Sequence, residues 1–232
     1  MTSATIADSL PTMSSSVPPA VNIDLAFDRL RTVMTDYPRA AMFQLAAEGY
    51  TSPFEQLISC IISIRTYDEV SLPVSRRLFA RANTPQAVSE LSVTDIETLI
   101  KDSTFAERKA EQIYAIAIQL VQEHGGELPC DEALMRSFNG VGPKCAHLAL
   151  GIACQLPYIS VDIHVHRVMN RWGYVATKTP EKTTKALEEK LPKPYWIDTN
   201  RLLMPFGKYI CKGQFPSCQS CPLSDICPRV GL

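Results

Sequence analysis

Four cysteines near the C-terminal end of the sequence have the spacing of a metal site. Cys211, Cys218, Cys221 and Cys227 follow the pattern C-x6-C-x2-C-x5-C within 17 residues. Four converging thiolates form a tetrahedral sulphur site, which suits Zn²⁺ or an iron–sulphur cluster. The spacing alone leaves both open, and a pair of disulphides is a third alternative that the absence of a signal peptide disfavours. Because all four positions around the metal are filled by protein, we expect a structural role.

The other four cysteines are scattered through apolar or helical sequence. They are Cys60, Cys130, Cys145 and Cys154. Cysteine in such surroundings usually behaves as a small buried hydrophobic residue, so we predict that role for all four.

The segment FNGVGPK, residues 138–144, predicts a hairpin between two helices. Asp131 can cap a short first helix, the two glycines permit positive φ in a tight turn, and Pro143 is placed to begin the second helix. So small a turn leaves the backbone N–H groups of Gly140, Val141 and Gly142 uncovered, and a DNA phosphate could approach them there. The plain alternative is a glycine turn with no ligand.

Lys144 is the nucleophile that this hairpin could present. The positive end of the following helix dipole disfavours its ammonium form, and burial would disfavour that form further. A neutral amine beside a phosphate-binding hairpin is what Schiff-base chemistry at a sugar carbon requires. The plainer alternative is that Lys144 is a second phosphate contact.

Asp162 follows eighteen positions later, just ahead of the apolar residues Val165, Val168 and Met169. This position predicts an N-cap for a third helix. The same carboxylate could also stabilise an oxocarbenium-like sugar or help to deprotonate an attacking amine. The capping role and the chemical role are compatible.

Helical periodicity is the only sustained pattern in the elements that must position these residues. Apolar faces at helical spacing run through residues 22–37 and 110–121, and Thr179-Pro180 predicts the start of a helix through Leu191. No segment alternates for long enough to predict a convincing strand. We therefore expect an all-α protein.

Composition and charge limit the function classes. The chain has 232 residues, 46% of them hydrophobic and 20% charged, which is typical of an ordinary globular protein. No uncharged apolar run approaches the roughly 18 residues of a membrane helix. Residues 1–21 are rich in Ser, Thr and Pro, so we expect a disordered tail. This stretch lacks the Arg, Lys and apolar run of a targeting segment, so we expect a cytoplasmic, bacterial setting. The net charge of -1 argues only weakly against nucleic acid, since a local patch can bind phosphate.

These motifs, in this order and spacing, resemble the endonuclease III family of DNA glycosylases. The resemblance rests on segment 138–144, on Val161-Asp162-x-His164 and on the cysteine spacing, and it spans residues 22–227. It implies a two-lobed, all-α helix-hairpin-helix fold. Residues 46–156 would form a six-helix barrel, and residues 22–45 and 157–232 would form a lobe around a [4Fe-4S] cluster held by the four cysteines.

The resemblance also implies a reaction. A bifunctional DNA glycosylase/AP lyase of base excision repair removes oxidised pyrimidines from duplex DNA, or acts on abasic sites, and here it would do so as a monomer. The base is flipped out of the stack, Lys144 attacks C1′ of the sugar, and Asp162 assists departure of the base. The Schiff base then permits β-elimination. Further DNA contacts are expected from Gly140, Val141, Gly142, Lys212 and His164. The alternative is a catalytically weak DNA-binding or damage-sensing module, which would not need both Lys144 and Asp162.

Three positions depart from the family pattern. Cys60 stands where the sibling adenine glycosylases carry a catalytic Glu, which disfavours removal of adenine. Arg65 replaces the Gln that fills the gap left by the flipped base, so it could grip the orphan base or a phosphate, or simply be solvated at a helix end. Phe105 replaces an aliphatic wedge and could stack between bases or pack as a hydrophobic staple on its own helix.

Overall fold

The computed structural model describes residues 20–232, and within this range it is helical, with no strand. The prediction of an all-α protein is therefore confirmed for these residues. The predicted tail at 1–21 lies outside them except for its last two positions. The α-helices are α1 (Ile23–Val33), α2 (Ala41–Ala47), α3 (Pro53–Ser63), α4 (Asp68–Arg81), α5 (Pro85–Ser89), α6 (Val93–Ile100), α7 (Ala106–Glu123), α8 (Glu132–Ser137), α9 (Pro143–Ala153), α10 (Ile163–Arg171), α11 (Pro180–Lys190) and α12 (Trp196–Tyr209).

Three short 3₁₀ helices complete the secondary structure of the described residues. They span Met34–Asp36, Lys193–Tyr195 and Cys218–Ser220. Among the helices that the structure describes, none is long and apolar enough to cross a membrane.

Side-chain caps explain where several helices begin. The carboxylate of Asp131 accepts from Leu134 N at 3.0 Å at the start of α8, and the hydroxyl of Thr179 accepts from Lys182 N at 3.3 Å at the start of α11. Each bond satisfies a backbone donor that a helix leaves unpaired in its first turn. Helix α7 begins differently, at Phe105, which has a left-handed backbone (φ 59°) and no side-chain cap.

The helices pack around two hydrophobic cores. The first is formed by residues between 42 and 152 and is centred on α3, α7 and α9. The second brings both ends of the described chain together, and in it Trp172 contacts Phe27 and Phe206 with ring centroids 6.4 and 6.1 Å apart. The chain is therefore two-lobed, as the resemblance implied, while the lobe boundaries at residues 46 and 157 stay a prediction.

Two of the scattered cysteines are not the buried thiols that we predicted. Cys130 and Cys154 form a disulphide, with Cα atoms 6.1 Å apart, and Cys130 is exposed. The hairpin folds α9 back along α8, which places Cys130, two residues before α8, beside Cys154, the residue after α9. This proximity depends on the fold and is invisible in the local pattern. Cys60 and Cys145 are buried free thiols, as predicted.

A close contact joins α10 to α12 in the second lobe. A Cβ atom placed on Gly207 of α12 would lie 2.8 Å from His164 Cβ and 3.3 Å from His164 Cα. Since the nearest atoms belong to the backbone and the base of a side chain, no rotamer change can relieve the clash. Gly207 thus sets how closely α12 approaches the start of α10.

We predict that Gly207→Ala lowers the free energy of unfolding by about 1–3 kcal/mol, because the two helices must separate. Gly151→Ala is the matched control in α9, where an added Cβ meets nothing nearer than 3.7 Å. Alanine there should be neutral or stabilise the protein by about 0.5–1 kcal/mol, through its better helix propensity. Chemical denaturation of both variants measures the difference, and equal stabilities would refute the proposed constraint.

Candidate active site

A large cleft lies between the hairpin and the start of α10. It encloses about 2350 Å³ of empty space, part of it open to solvent. Lys144, Asp162 and His164 all line this cleft, together with the end of α3. The two predicted catalytic residues, Lys144 and Asp162, are eighteen positions apart in the sequence, and the structure brings both to this cleft.

The hairpin presents Lys144 at the wall of this cleft. Gly140 has a φ of 79°, as expected for the turn, but Gly142 has a φ of -89°, so the expectation of positive φ at both glycines was wrong. Gly142 instead adopts the extended backbone of an N-cap before Pro143. The amide of Val141 donates to Phe138 O at 3.1 Å and is thus engaged within the hairpin.

Lys144 occupies the first turn of α9. Its side chain is exposed at the wall of the cleft. An exposed amine at a helix start is accessible to an electrophilic carbon in the cleft.

Asp162 is the N-cap of α10, and the cap uses one of its two carboxylate oxygens. Oδ1 accepts hydrogen bonds from His164 N at 2.9 Å and from Val165 N at 2.8 Å. Within the described residues, Oδ2 makes no hydrogen bond. The cap fixes the carboxylate in place and leaves one oxygen for chemistry in the cleft, so capping does not compete with the chemical role.

Arg65 and Phe105 lie side by side at the surface, although forty residues separate them in sequence. Both have left-handed backbones, with φ of 53° and 59°. The Arg65 guanidinium lies 6.0 Å from the centroid of the Phe105 ring, and the Phe105 side chain is 58% exposed. Both residues are therefore exposed to solvent, and they lie within cation–π range of each other.

His164 and the cysteine loop are joined through α10. Arg167 donates to Gly207 O at 2.7 Å and lies 3.1 Å from His164 Nδ1. Burial lowers the pKa of His164, against the opposing field of Asp162. One turn further, Arg171 donates to Lys212 O at 2.5 Å, while the Lys212 side chain is exposed. These contacts therefore fix the position of the loop that carries Lys212 relative to α10, the helix that Asp162 caps.

The four cysteines of the predicted metal site line a single cavity. It holds about 350 Å³ of empty space and is walled by Cys211, Cys218, Cys221 and Cys227. Burial raises the pKa of the Cys221 thiol to about 11. In the described part of the chain, no three His, Cys, Asp or Glu side chains are placed to hold a single metal ion.

Comparison with known proteins now decides the family. Residues 58–193 match the HhH-GPD superfamily of base excision DNA repair proteins. The chain is 40% identical over 177 residues to endonuclease III of Thermotoga maritima, which covers 76% of this chain and 83% of that protein. The chain belongs to the endonuclease III family. As a member of this family it is a base excision repair enzyme, a DNA glycosylase with AP lyase activity, and the predicted resemblance is confirmed.

Two solved endonuclease III structures have the same fold. One is a non-covalent complex with DNA and the other is a trapped covalent intermediate with DNA. Each superimposes with a TM-score of 0.74 at 29% identity and covers 88% of this chain and 93% of its own. The endonuclease III fold therefore extends over both lobes described above.

The sequence did not point to two charged residues that line the cleft. Asp68 lines the cleft and accepts from Ala41 N at 3.1 Å, and burial raises its pKa. Lys208 lines it too and pairs with Glu69 at 2.6 Å. Asp68 could have been suspected, because it follows Arg65 by three residues, whereas nothing local marks Lys208.

We predict that Asp162→Asn separates the two tasks of this residue. Asparagine is as good an N-cap as aspartate, so the free energy of unfolding should change by less than about 1 kcal/mol. Single-turnover excision should fall by about 100-fold or more, because the charge facing the cleft is lost. Asp131→Asn, which alters the cap of α8 outside the cleft, is the control and should keep excision within about 2-fold. Near-normal excision by Asp162→Asn would exclude a catalytic role.

Proposed function

We propose that this protein removes oxidised pyrimidines from duplex DNA and then cleaves the strand at the resulting abasic site. The observation that carries the proposal is the pairing of an accessible amine, Lys144, with a fixed carboxylate, Asp162, in one cleft. A protein that only binds DNA has no need of both groups.

The chemistry follows from these two side chains. With the damaged base rotated into the cleft, the neutral amine of Lys144 attacks C1′. The bond between C1′ and the nitrogen of the base breaks. Its electron pair leaves with the base, and the base takes up a proton. Oδ2 of Asp162 stabilises the positive charge that develops on the sugar. The Lys144 nitrogen gives up a proton, the C1′–O4′ bond breaks as O4′ takes up a proton, and the iminium forms. Loss of a C2′ proton then breaks the C3′–O bond and expels the 3′ phosphate, and water hydrolyses the C1′–N bond to free Lys144.

We assign the DNA contacts to residues around the cleft. Exposed Gly140 and Gly142 allow a phosphate to approach the hairpin at the start of α9. His164 contacts Arg167, and Lys212 contacts Arg171 one turn further along α10. Both side chains would contact the backbone of the same DNA strand. Arg65 and Phe105 project as a pair and would enter the space left by the flipped base. Phe105 would supply the wedge, and Arg65 would contact the orphan base.

We further propose that the four cysteines hold a [4Fe-4S] cluster, the group that the endonuclease III family generally carries. The shared cavity supports this, and so does the Arg171 guanidinium, which lies 3.4 Å from Cys211 Sγ as a hydrogen-bond donor to a thiolate. When bound, the cluster supplies a rigid link among the four thiolates. The residues themselves position Lys212 and anchor the end of α12.

We also propose that the protein is a monomer, and that it acts in the bacterial cytosol on damaged or abasic duplex DNA. One cleft with both reactive groups in a single chain supports the monomer.

Borohydride trapping tests the proposed reaction. On a duplex with one oxidised pyrimidine, we predict that the wild type gives a covalent protein–DNA adduct on reduction and that Lys144→Ala gives none, because the Schiff base needs this amine. Lys101→Ala, an exposed lysine outside the cleft, should behave as wild type. An adduct formed equally by Lys144→Ala would remove Lys144 from the mechanism. A wild type that binds the duplex without forming an adduct would indicate the alternative, a damage-sensing module.

Metal analysis tests the cluster separately. We predict that protein purified without oxygen is brown and holds about four irons per chain. Cys218→Ser should lose most of the colour, while Cys60→Ser should keep it, because Cys60 lies in the core of the other lobe. Colourless protein with one zinc per chain would contradict the cluster assignment.

A further inference from the structure

Lys109 is a buried lysine that the proposed reaction does not use. It lies in the first turn of α7 and is only 4% exposed. Two physical effects oppose a cation there: burial, which lowers the pKa of Lys109 to about 8, and the positive end of the helix dipole. A residue placed against both effects needs compensating interactions.

The Lys109 ammonium finds these interactions at the end of α3. It donates to Ile62 O at 2.6 Å, to Ile64 O at 2.9 Å and to Thr66 Oγ1 at 3.1 Å. Carbonyls at a helix C-terminus lack partners within the helix, so the ammonium satisfies acceptors that would otherwise be unpaired. All three acceptors lie within three residues of Arg65.

The same lysine also holds Phe105. Its backbone amide donates to Phe105 O at 3.1 Å, in the first hydrogen bond of α7. Thr104 adds a second link between the segments, because its hydroxyl donates to Arg65 O at 2.9 Å and its amide donates to Thr66 Oγ1 at 3.1 Å. Side chain and backbone of one residue thus join the two segments that carry Arg65 and Phe105.

Both partners are held in a conformation that they disfavour. A left-handed backbone costs a non-glycine residue of order 1 kcal/mol or more, and it persists only where the surroundings enforce it. Arg65 and Phe105 both adopt it, and they face each other at 6.0 Å. The hydrogen bonds centred on Lys109 supply that enforcement.

We propose that Lys109 is a positioning residue that fixes Arg65 and Phe105 as one preformed unit for recognition of the gap left by the flipped base. This inference rests on the proposed function of that pair. If the two side chains are already ordered in the free protein, binding loses less entropy. Lys109 should therefore increase the affinity for the damaged site. It should not appear in the chemical step, because Lys109 does not line the cleft.

The test measures binding to a duplex that carries a tetrahydrofuran abasic analogue, with 2-aminopurine as the opposite base. Lys109→Met keeps the length of the side chain and removes its charge and donors. We expect its Kd for this duplex to rise about 10-fold and the fluorescence increase of the unstacked 2-aminopurine to shrink. Binding to undamaged duplex should change by less than about 2-fold, and the single-turnover excision rate at saturating enzyme by less than about 3-fold. Lys101→Met, at the exposed lysine that also served as the control above, should match the wild type in each of these measurements.

A double-mutant cycle with Arg65→Ala separates positioning from general loss of stability. If Lys109 acts through the pair, Lys109→Met combined with Arg65→Ala should bind no worse than Arg65→Ala alone. The inference would be overturned if the two substitutions multiplied each other's effects on Kd. A folded Lys109→Met variant with wild-type Kd and fluorescence would also overturn it. If Lys109→Met does not fold, Thr104→Val removes the bond to Arg65 O from an exposed position and carries the same test. If Arg65→Ala and Phe105→Ala both bind as wild type, the proposed role of the pair fails, and the inference fails with it.

Discussion

The contact between α10 and α12 at Gly207 is the constraint on which the site depends. Helix α10 begins with the Asp162 cap, continues through Arg167 and Arg171, and ends in the second core at Trp172. Because Gly207 has no side chain, α12 can approach the first turn of α10 closely enough for Arg167 to reach Gly207 O. The position of the carboxylate, the register of the cysteine loop and the packing of the second lobe are thus set by one helix pair.

Helix N-termini explain how a chain with a net charge of -1 can act on a polyanion. Lys144 lies in the first turn of α9, and Asp162 caps α10, so two helices direct their positive ends towards the same cleft. A helix start attracts phosphate through its amides and dipole without adding to the net charge. The local field at the cleft therefore differs from the charge of the whole protein, which is why net charge was weak evidence against DNA.

Local features of the site could be predicted from the sequence, and features that depend on distant packing could not. The cap at Asp162, the helix start at Pro143 and the spacing of the four cysteines are determined by neighbouring residues, so the pattern was enough. The Cys130–Cys154 disulphide and the pairing of Arg65 with Phe105 depend on how helices fold back on each other. Lys109 did leave a trace, since it precedes Ile113 by one helical turn on an apolar face. A lysine on such a face is a buried cation that needs partners.

The central claim is that the fold directs one particular amine at the sugar. The cleft is lined by three lysines, Lys144, Lys185 and Lys208, so formation of an adduct does not by itself identify the nucleophile. Proteolysis of the borohydride-reduced complex, followed by mass spectrometry of the DNA-linked peptide, locates the new bond. We predict that the wild-type adduct is on Lys144 alone. A bond to Lys185 or Lys208 would show that the hairpin binds DNA without supplying the nucleophile, and it would contradict this account.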